Sequence, residues 1–258
     1  MYDIICSIVV YKEPIEKLKA NIIQVLKSKL NIKVVIIDNS PDDRLRELKK
    51  ATDIEYIFNN KNLGYGKAHN IAIKKYTDQA KYLLVMNPDI FVKDGTLEKL
   101  FNYMESKPDV GLVMPNVVSP DGQRQYLCKL LPTPINLILR RAFNYKSKRY
   151  EMRSKDYSKE IESPSLSGCF MFVKSKVLKN IGGFDERFFM YLEDLDFSRR
   201  INAVCKTMFY PNAEIIHEHK KASYKNLKML LAHCVSAIRY FNKWGWLFDK
   251  ERRKINGI

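Results

Sequence analysis

"IICSIVVYKEPIEKLKANIIQVLKSKLNIKVVIIDNSPDD", residues 4–43, decides the fold. Its opening, "IICSIVV", is a nearly unbroken apolar run, which suits a strand buried on both faces. "EPIEKLKANIIQVLKSK" then has helical spacing, with Ile15, Leu18, Ile22 and Leu26 on one stripe. "IKVVIID" repeats the first run. Strand, helix and strand in this order make a βαβ unit, whose two strands are parallel. The alternation continues through "RLRELKKA" (helix), "IEYIF" (strand), "GKAHNIAIKKY" (helix), "KYLLVMN" (strand), "TLEKLFNYMESK" (helix) and "VGLVMP" (strand). An α/β fold follows, with a mostly parallel sheet and helices on both faces.

Residues 129–163 break this rhythm. They are strongly basic and bracketed by prolines, and they predict a short helix followed by a mobile loop. The pattern resumes with the strand "SLSGCFMFVK" (165–174), the helices "SKVLKNI" and "EDLDFSRRINAV", and the strands "KTMFYP" (206–211) and "AEIIH" (213–217). No linker separates two cores. We read one domain over residues 1–223 and a helical, basic and aromatic extension over 224–258.

The 258 residues include 45 Lys and Arg against 29 Asp and Glu, a formal net charge of +16. Such a balance points to an anionic partner: nucleic acid, an anionic membrane face or phosphorylated substrates. The competing reading is a lysine-rich composition with solvated side chains. There is no zinc finger, no aromatic RNA-binding signature and no P-loop, so nucleic acid is the weaker choice. No apolar run approaches the ~20 residues that span a bilayer. The start, "MYDIICSIVVYKE", reads as a first strand and not as a signal peptide. The five cysteines are scattered and form no CxxC pair, which favours a reducing compartment over a disulfide framework or zinc site.

In open α/β sheets, ligands bind beyond the carboxyl ends of the strands. Three strands stop there at polar residues: "IIDNSPDD", "FNNKNLGYGKAHN" and "LVMNPDI". Turns need the same residue types, but three in succession on one edge make a binding crevice. Asp38 can accept from a base N–H or a ribose hydroxyl. Gly64 and Gly66 allow close backbone approach, and the helix that follows offers N–H groups to an anion. Neither the dinucleotide fingerprint nor the Walker pattern is present. In "NPD", Asp89 can be a turn former or can hold Mg²⁺ or Mn²⁺ against a diphosphate. "AEIIHEH" puts His217 and His219 on one strand face and Glu218 on the other. One of these histidines is either structural or a second metal ligand, the latter favouring Mn²⁺. "FFMYLEDLDFSRR" (188–200) carries Glu193, Asp194 and Asp196 at a helix start, where acids serve as caps or as catalysts.

In this order the motifs resemble the inverting nucleotide-sugar glycosyltransferases of family 2, which have the GT-A fold. The stretches that carry the resemblance are "VVYKE", "IIDNSPDD", "NKNLGYGKAHN", "LLVMNPDI", "SGCFMFVKSKVLKNIGGFDERFFMYLEDLDFSRR" and "AEIIHEH". They are most similar to the rhamnosyltransferase-like branch, over residues 1 to about 220 except 129–163. The resemblance implies that Val10, Tyr11, Asp38 and Asn39 hold the nucleotide and that Asn62, Gly64 and Asn70 line the donor pocket. "NPD" stands in place of the family's DxD motif, with Asn87 replacing the first acid, a form frequent in this branch. Asp89 would then bind Mn²⁺ or Mg²⁺, with His217 completing the site. Asp194 would be the catalytic base, and Glu193 would orient the acceptor or support Asp194.

The implied activity is transfer of a sugar, most of all rhamnose from dTDP-rhamnose, to a lipid-diphosphate-linked glycan of a bacterial surface polysaccharide. UDP-glucose, UDP-galactose and UDP-galactofuranose are the competing donors. A non-catalytic nucleotide-sugar-binding subunit is the rival class, opposed by the intact Asp89, Asp194 and His217. A nucleotidyltransferase is disfavoured because "VVYKEP" has no glycine. The implied location is the cytoplasm, peripheral on the inner membrane face. The tail "IRYFNKWGWLFDKERRK" alternates aromatic and basic residues, as interfacial segments do. The alternative is that Trp244, Trp246 and Phe248 pack the tail onto the domain.

Overall fold

The first four strands are β1 (Tyr2–Val10), β2 (Ile32–Asp38), β3 (Ile54–Phe58) and β4 (Ala80–Met86), and they lie in the order β3-β2-β1-β4, all parallel. The computed structural model describes residues 1–51, 53–143, 147–218 and 227–257. The crossovers are α1 (Ile15–Leu26), a 3₁₀ turn at Arg44–Glu47 with the short α2 (Leu48–Ala51), and α3 (Tyr65–Tyr76). The chain steps from β1 to β2 to β3 in one direction and then jumps back past β1 to β4. Right-handed crossovers therefore place α1 and α3 on opposite faces. This reversal opens a crevice between the carboxyl ends of β1 and β4, where such sheets bind ligands.

Beyond β4 the sheet continues β10-β6-β11-β5. These are β5 (Ile90–Val92), β6 (Val110–Val118), β10 (Phe170–Lys174) and β11 (Lys206–His217). β6 and β11 are parallel, whereas β10 runs against both β4 and β6, and β5 runs against β11. The α/β expectation is thus borne out, with β10 and β5 opposing the common direction. α4 (Thr96–Ser106), α5 (Pro134–Phe143), α6 (Ser175–Ile181) and α7 (Glu193–Asn202) complete the domain. The two-residue strand β8 (Ile161–Glu162) joins β11, and β7 (Cys128–Lys129) pairs β9 (Ser165–Leu166) in a separate ribbon.

Three details differ from the sequence reading. The strand expected over 165–174 is split into β9 and β10 by Ser167-Gly168-Cys169, which bend toward α7. The strands expected at 206–211 and 213–217 are one strand, β11, with a register shift between Tyr210 and Glu214. The segment 129–163 is more ordered than a mobile loop. Beyond α5, Tyr150, Met152 and Tyr157 are buried, and Tyr150 accepts a backbone bond from Leu130 at 3.0 Å. Residues 144–146 of that segment lie outside the described residues, as does the expected boundary at 223/224.

The extension folds as α8 (Leu227–Trp244) and α9 (Lys250–Asn256), and it grips α7. The Arg199 guanidinium of α7 donates two bonds to the Asp249 carboxylate, at 2.6 and 2.7 Å, and both side chains are 3% exposed. Trp244 lies against this guanidinium, 4.1 Å from ring centroid to carbon. Its indole N–H donates to Asp196 at 2.8 Å, and Lys243 pairs with the same carboxylate at 2.6 Å. Arg200 approaches the other Asp196 oxygen at 2.9 Å. Asp249 also caps α9, accepting from the Arg252 N–H at 2.9 Å. Burial works against the Asp249 carboxylate, but Arg199 and Arg252 together outweigh it and hold the group below the usual carboxylate range. Of the three tail aromatics, Trp244 packs inward, whereas Trp246 and Phe248 are exposed.

Removing one partner of a buried ion pair leaves an uncompensated charge, at a cost of about 3–5 kcal/mol. Asp249→Ala should therefore lower the unfolding free energy by about that amount. Combining it with Arg199→Met should recover part of the loss, because the Arg199 charge goes too, while Arg252, 4.0 Å from Asp249, keeps the carbonyls of Pro132 and Leu247. Denaturant titration of the two variants checks this; equal instability of single and double variants would show that the charge is not what fails.

Candidate active site

At the end of β1, Val10 is buried and Tyr11 exposed. The Val10 carbonyl accepts from the Asn39 N–H at 2.9 Å, which ties the ends of β1 and β2 together. Asp38 is fully buried. One of its oxygens accepts from the Ser40 N–H at 2.8 Å and the other from the Tyr56 hydroxyl at 2.7 Å. The Asn39 amide donates to the Gly64 carbonyl at 3.1 Å and lies 3.4 Å from Asn62 Oδ1. Asn62 Oδ1 in turn accepts from the Gly64 N–H at 2.9 Å. Asn39 and Asn62 thus shape the loop before α3, and Asn62 remains exposed.

Gly64 has φ +83, and a Cβ there would lie 2.2 Å from the Phe189 carbonyl oxygen. The next residue, Tyr65, donates its N–H to that same carbonyl at 2.9 Å. Only glycine fits so close a backbone contact at this φ. Asn70 is placed differently from the other donor-pocket candidates. Its Oδ1 accepts from the Phe184 N–H at 2.8 Å and its Nδ2 donates to the Phe184 carbonyl at 2.8 Å. It clips the 182–186 turn to α3, so it supports the crevice from behind.

The NPD turn and the acids of α7 meet across Gly168-Cys169. The Asn87 N–H donates to the Cys169 carbonyl at 2.9 Å, and the Gly168 N–H donates to Asp194 Oδ2 at 3.0 Å. The Tyr65 hydroxyl donates to the Gly168 carbonyl. Burial pushes the Tyr65 phenol well up, helped by Cys169, Glu193, Asp194 and Asp89 around it. Tyr65 therefore marks the point on which these groups converge.

Glu193 and Asp194 are adjacent but sit in different surroundings. Glu193 is buried, and its Oε2 has no hydrogen-bond partner. Burial, reinforced by Asp194, raises its carboxyl well above the ordinary value. Asp194 is half-buried and holds the N–H groups of Gly168 and, at 2.9 Å, Leu195. Each of its oxygens keeps a lone pair for a further partner. The preceding residues, Tyr191 and Leu192, have φ of +70 and +60, a strained conformation for side-chain-bearing residues. The surroundings fix it: Leu192 packs with Leu195, Phe188, Tyr240 and Phe241, and the Ser236 hydroxyl of α8 donates to the Met190 carbonyl at 2.8 Å.

Asp89 and His217 come together, with Asp89 Oδ1 and His217 Nε2 3.4 Å apart. Asp89 Oδ1 is buried and has no hydrogen bond. On the far side of the ring, Nδ1 lies 3.0 Å from Gln125 Oε1, while Gln125 Nε2 donates to the His217 carbonyl at 2.8 Å. The second bond fixes which end of the amide faces Nδ1. Oε1 can only accept, so Nδ1 carries a proton. A neutral imidazole then turns the Nε2 lone pair to the carboxylate, and only a proton or a cation between them makes that arrangement favourable. Burial acts to raise the Asp89 carboxyl, but the protonated form of the imidazole, with smaller help from the turn's own backbone and Lys17, outweighs it and holds it below the usual range. No group of three or more His, Cys, Asp or Glu with metal-site geometry occurs among the described residues. His219 lies outside them.

Sequence reasoning missed Tyr65, Gly168 and Gln125. Gly168 had a signal, a glycine just before an apolar strand, which marks close backbone approach. Gln125 had none. The Glu193 geometry gives a pH dependence. A carboxyl whose folded pKa is raised contributes most below the unfolded value, near 4.3, and that contribution is lost as pH rises toward the folded value. Glu193→Gln should therefore melt higher than the parent near neutral pH, with the gap closing toward pH ~4. Thermal denaturation across this range checks it; a variant that melts lower throughout would mean that the Glu193 charge is stabilised.

The model of the Glycosyl transferase family 2 matches residues 6–182, which hold the crevice, the NPD turn and Gly168. The chain is 27% identical over 210 residues to the N-acetylglucosaminyl-diphospho-decaprenol L-rhamnosyltransferase of Mycobacterium tuberculosis, covering 74% of this chain and 68% of that protein. It is 23% identical over 238 residues to the rhamnosyltransferase WbbL of Escherichia coli K12, covering 88% of each. Its fold is similar to the crystal structure of GalNAc-T7 with UDP, GalNAc and Mn²⁺, with a TM-score of 0.65 at 15% identity over 87% of this chain. This chain spans only 44% of that one. The chain belongs to glycosyl transferase family 2, and it is a glycosyltransferase of GT-A fold.

Proposed function

We propose that the protein is an inverting transferase that moves rhamnose from dTDP-rhamnose to a lipid-diphosphate-linked glycan in bacterial surface polysaccharide assembly. One observation carries the reading: a solvent-accessible carboxylate, Asp194, is tied through Gly168-Cys169 to the NPD turn that bears Asp89. The names of the two rhamnosyltransferase relatives support the sugar, and the first of them supports the acceptor. Residues 1–223 would bind both substrates, and 224–258 would brace α7 and approach the membrane face.

In this reading Val10, Tyr11, Asp38 and Asn39 border the nucleotide at the ends of β1 and β2, with Asn62, Gly64 and Asn70 forming and backing the donor loop. Asp194 accepts the proton of the acceptor hydroxyl as its oxygen bonds to the anomeric carbon. The bond from that carbon to the diphosphate oxygen breaks on the opposite side, which inverts the centre. A base on one side and charge stabilisation on the other suffice, with no second catalytic carboxylate. Glu193, buried beside Asp194 with its carboxyl raised by burial, supports Asp194 or orients the acceptor through it. Asp89 and His217 fit a divalent cation: a bare buried carboxylate oxygen faces an imidazole nitrogen whose tautomer Gln125 sets. Two protein ligands leave room for waters and diphosphate oxygens, and Mn²⁺ or Mg²⁺ there would neutralise charge on the leaving diphosphate.

A thermal-shift screen of nucleotide sugars with and without Mn²⁺ tests the donor and the metal together, since only a ligand of the folded state raises the melting temperature. The expected result is a metal-dependent shift with dTDP-rhamnose that Asp89→Ala abolishes. Gln125→Leu should weaken Mn²⁺ binding about 10–100-fold, the usual worth of an outer partner to a metal ligand. A shift with UDP-glucose, UDP-galactose or UDP-galactofuranose instead would replace the sugar. An undiminished shift in Asp89→Ala would remove it as the ligand.

Asp194→Asn separates chemistry from binding. The amide can still accept from Gly168 but cannot take a proton. Turnover should fall by roughly 10²–10⁴ with donor affinity unchanged. Near-normal turnover in this variant, with loss in Glu193→Gln, would transfer the base role to Glu193.

A further inference from the structure

α8 has two apolar faces and only one is covered by the described residues. Tyr240 and Phe241 pack inward with Leu137, Leu192 and Leu195. Leu227, Leu231, Val235 and Ile238 recur at helical spacing and form one stripe in solvent. Val235 is the least exposed of the four at 43%. The helix ends at a turn whose Leu247 and Phe248 are 69% and 89% exposed. α5 packs beside α8 through Leu137 and exposes Ile135 and Ile138. Single exposed apolar residues are routine, but a stripe continued by a turn and a neighbouring helix marks an interaction surface.

Two observations say what covers it. The exposed charges of α8 and α9 are Lys228, Arg239, Lys250, Arg253 and Lys254 against one acid, Glu251. A second copy would bring two chains of net charge +16 together, whereas an anionic bilayer complements them. The surface also adjoins the catalytic acids. α8 holds Met190 through Ser236, and its His233 ring lies 5.2 Å from Tyr191, two residues before Glu193. We infer that the outer face of α8, with the 246–248 turn and the outer side of α5, is an interfacial platform that lies in the headgroup layer of an anionic membrane and sets Asp194 facing that layer. No described helix is long and apolar enough to cross a membrane, and an amphipathic helix lying in the interface does not need to be. This rests on the lipid-linked acceptor proposed above, and it adds the surface that would present such an acceptor to the base.

The test is co-sedimentation with phosphatidylcholine vesicles, with and without phosphatidylglycerol, at low and high salt. The full chain is compared with Leu231→Glu/Ile238→Glu and with Trp246→Ser/Phe248→Ser, whose sites are exposed. The parent should bind the phosphatidylglycerol vesicles and lose affinity at high salt, because surface charge is screened. Each double variant should bind about tenfold more weakly or worse, since each removes apolar groups from the interface. Donor-induced thermal shifts should be unchanged in both, which shows that the fold and donor site persist. Parent-like binding by both variants, or no binding by the parent at low salt, overturns the inference. So does a parent dimer in ultracentrifugation that Leu231→Glu/Ile238→Glu makes monomeric, because the stripe is then a contact between copies. A failed donor screen with intact vesicle binding would count against the rhamnose reading and not against this surface.

Discussion

The buried pairing of Arg199 with Asp249, stacked on Trp244, is the constraint on which the placement of α7 and its acids depends. The donor side needs no such device. Its residues sit at the ends of β1, β2 and β4 and in the loop and helix after β3, and their positions follow from a parallel sheet whose strands are largely buried. α7 is supported less simply, because beside the buried Leu195, Phe197 and Ile201 it also buries Glu193, Asp196, Ser198 and Arg199. Apolar contact alone cannot orient a face of that composition. Buried polar groups require partners, and those of Asp196 and Arg199 come largely from the extension, through Lys243, Trp244 and Asp249. The C-terminal helices are therefore part of the active-site architecture.

The neighbouring acids show what that orientation achieves. Glu193 and Asp194 are adjacent in the chain yet sit in different environments. Glu193 turns into the protein, where burial disfavours its charge. Asp194 turns toward the crevice and is held by the N–H of Gly168. Divergent environments for paired carboxyls are the usual way to divide roles between them. Here the division is set by rotation about the helix axis, because consecutive helical residues point about 100° apart. The strained backbone at Tyr191 and Leu192 fixes that rotation at the helix start, and Asp196 and Arg199 fix it further along.

The sheet was legible in the sequence because its information is local. Each strand is a short apolar run that ends in turn residues, and each helix has a stripe at its own period. The crevice was legible for the same reason, since Asp38, Asn87 and Asp89 stand where apolar runs stop. What stayed hidden depends on contacts distant in the chain. Nothing near Gln125 indicates that it meets His217, 92 residues away. The polar atoms of Asn70 are spent on Phe184, 114 residues on, so a residue suited to ligand binding serves as a brace. Asp196 has the same helix-start context as Asp194, and Arg200, Lys243 and Trp244, which enclose its carboxylate, set it apart. The tail aromatics read alike in sequence, yet only Trp244 meets a buried cation.

These long-range contacts share a chemistry. α7 is pinned on one side by Ser198, whose hydroxyl accepts from the Leu166 N–H at 3.2 Å, and on the other by the carboxylates of Asp196 and Asp249. Apolar packing of the same area would contribute as much stability or more, because desolvating charges offsets much of their attraction. It would not specify direction as well. A leucine face tolerates sliding and rotation with modest loss, whereas two parallel N–H···O bonds fail when either group turns. A residue that must meet a substrate hydroxyl at hydrogen-bond distance needs that directional restraint. Bidentate and charge-assisted contacts beneath α7 suit the base role proposed for Asp194, with Asp196, Arg199 and Arg200 of "EDLDFSRR" fixing the helix that carries it.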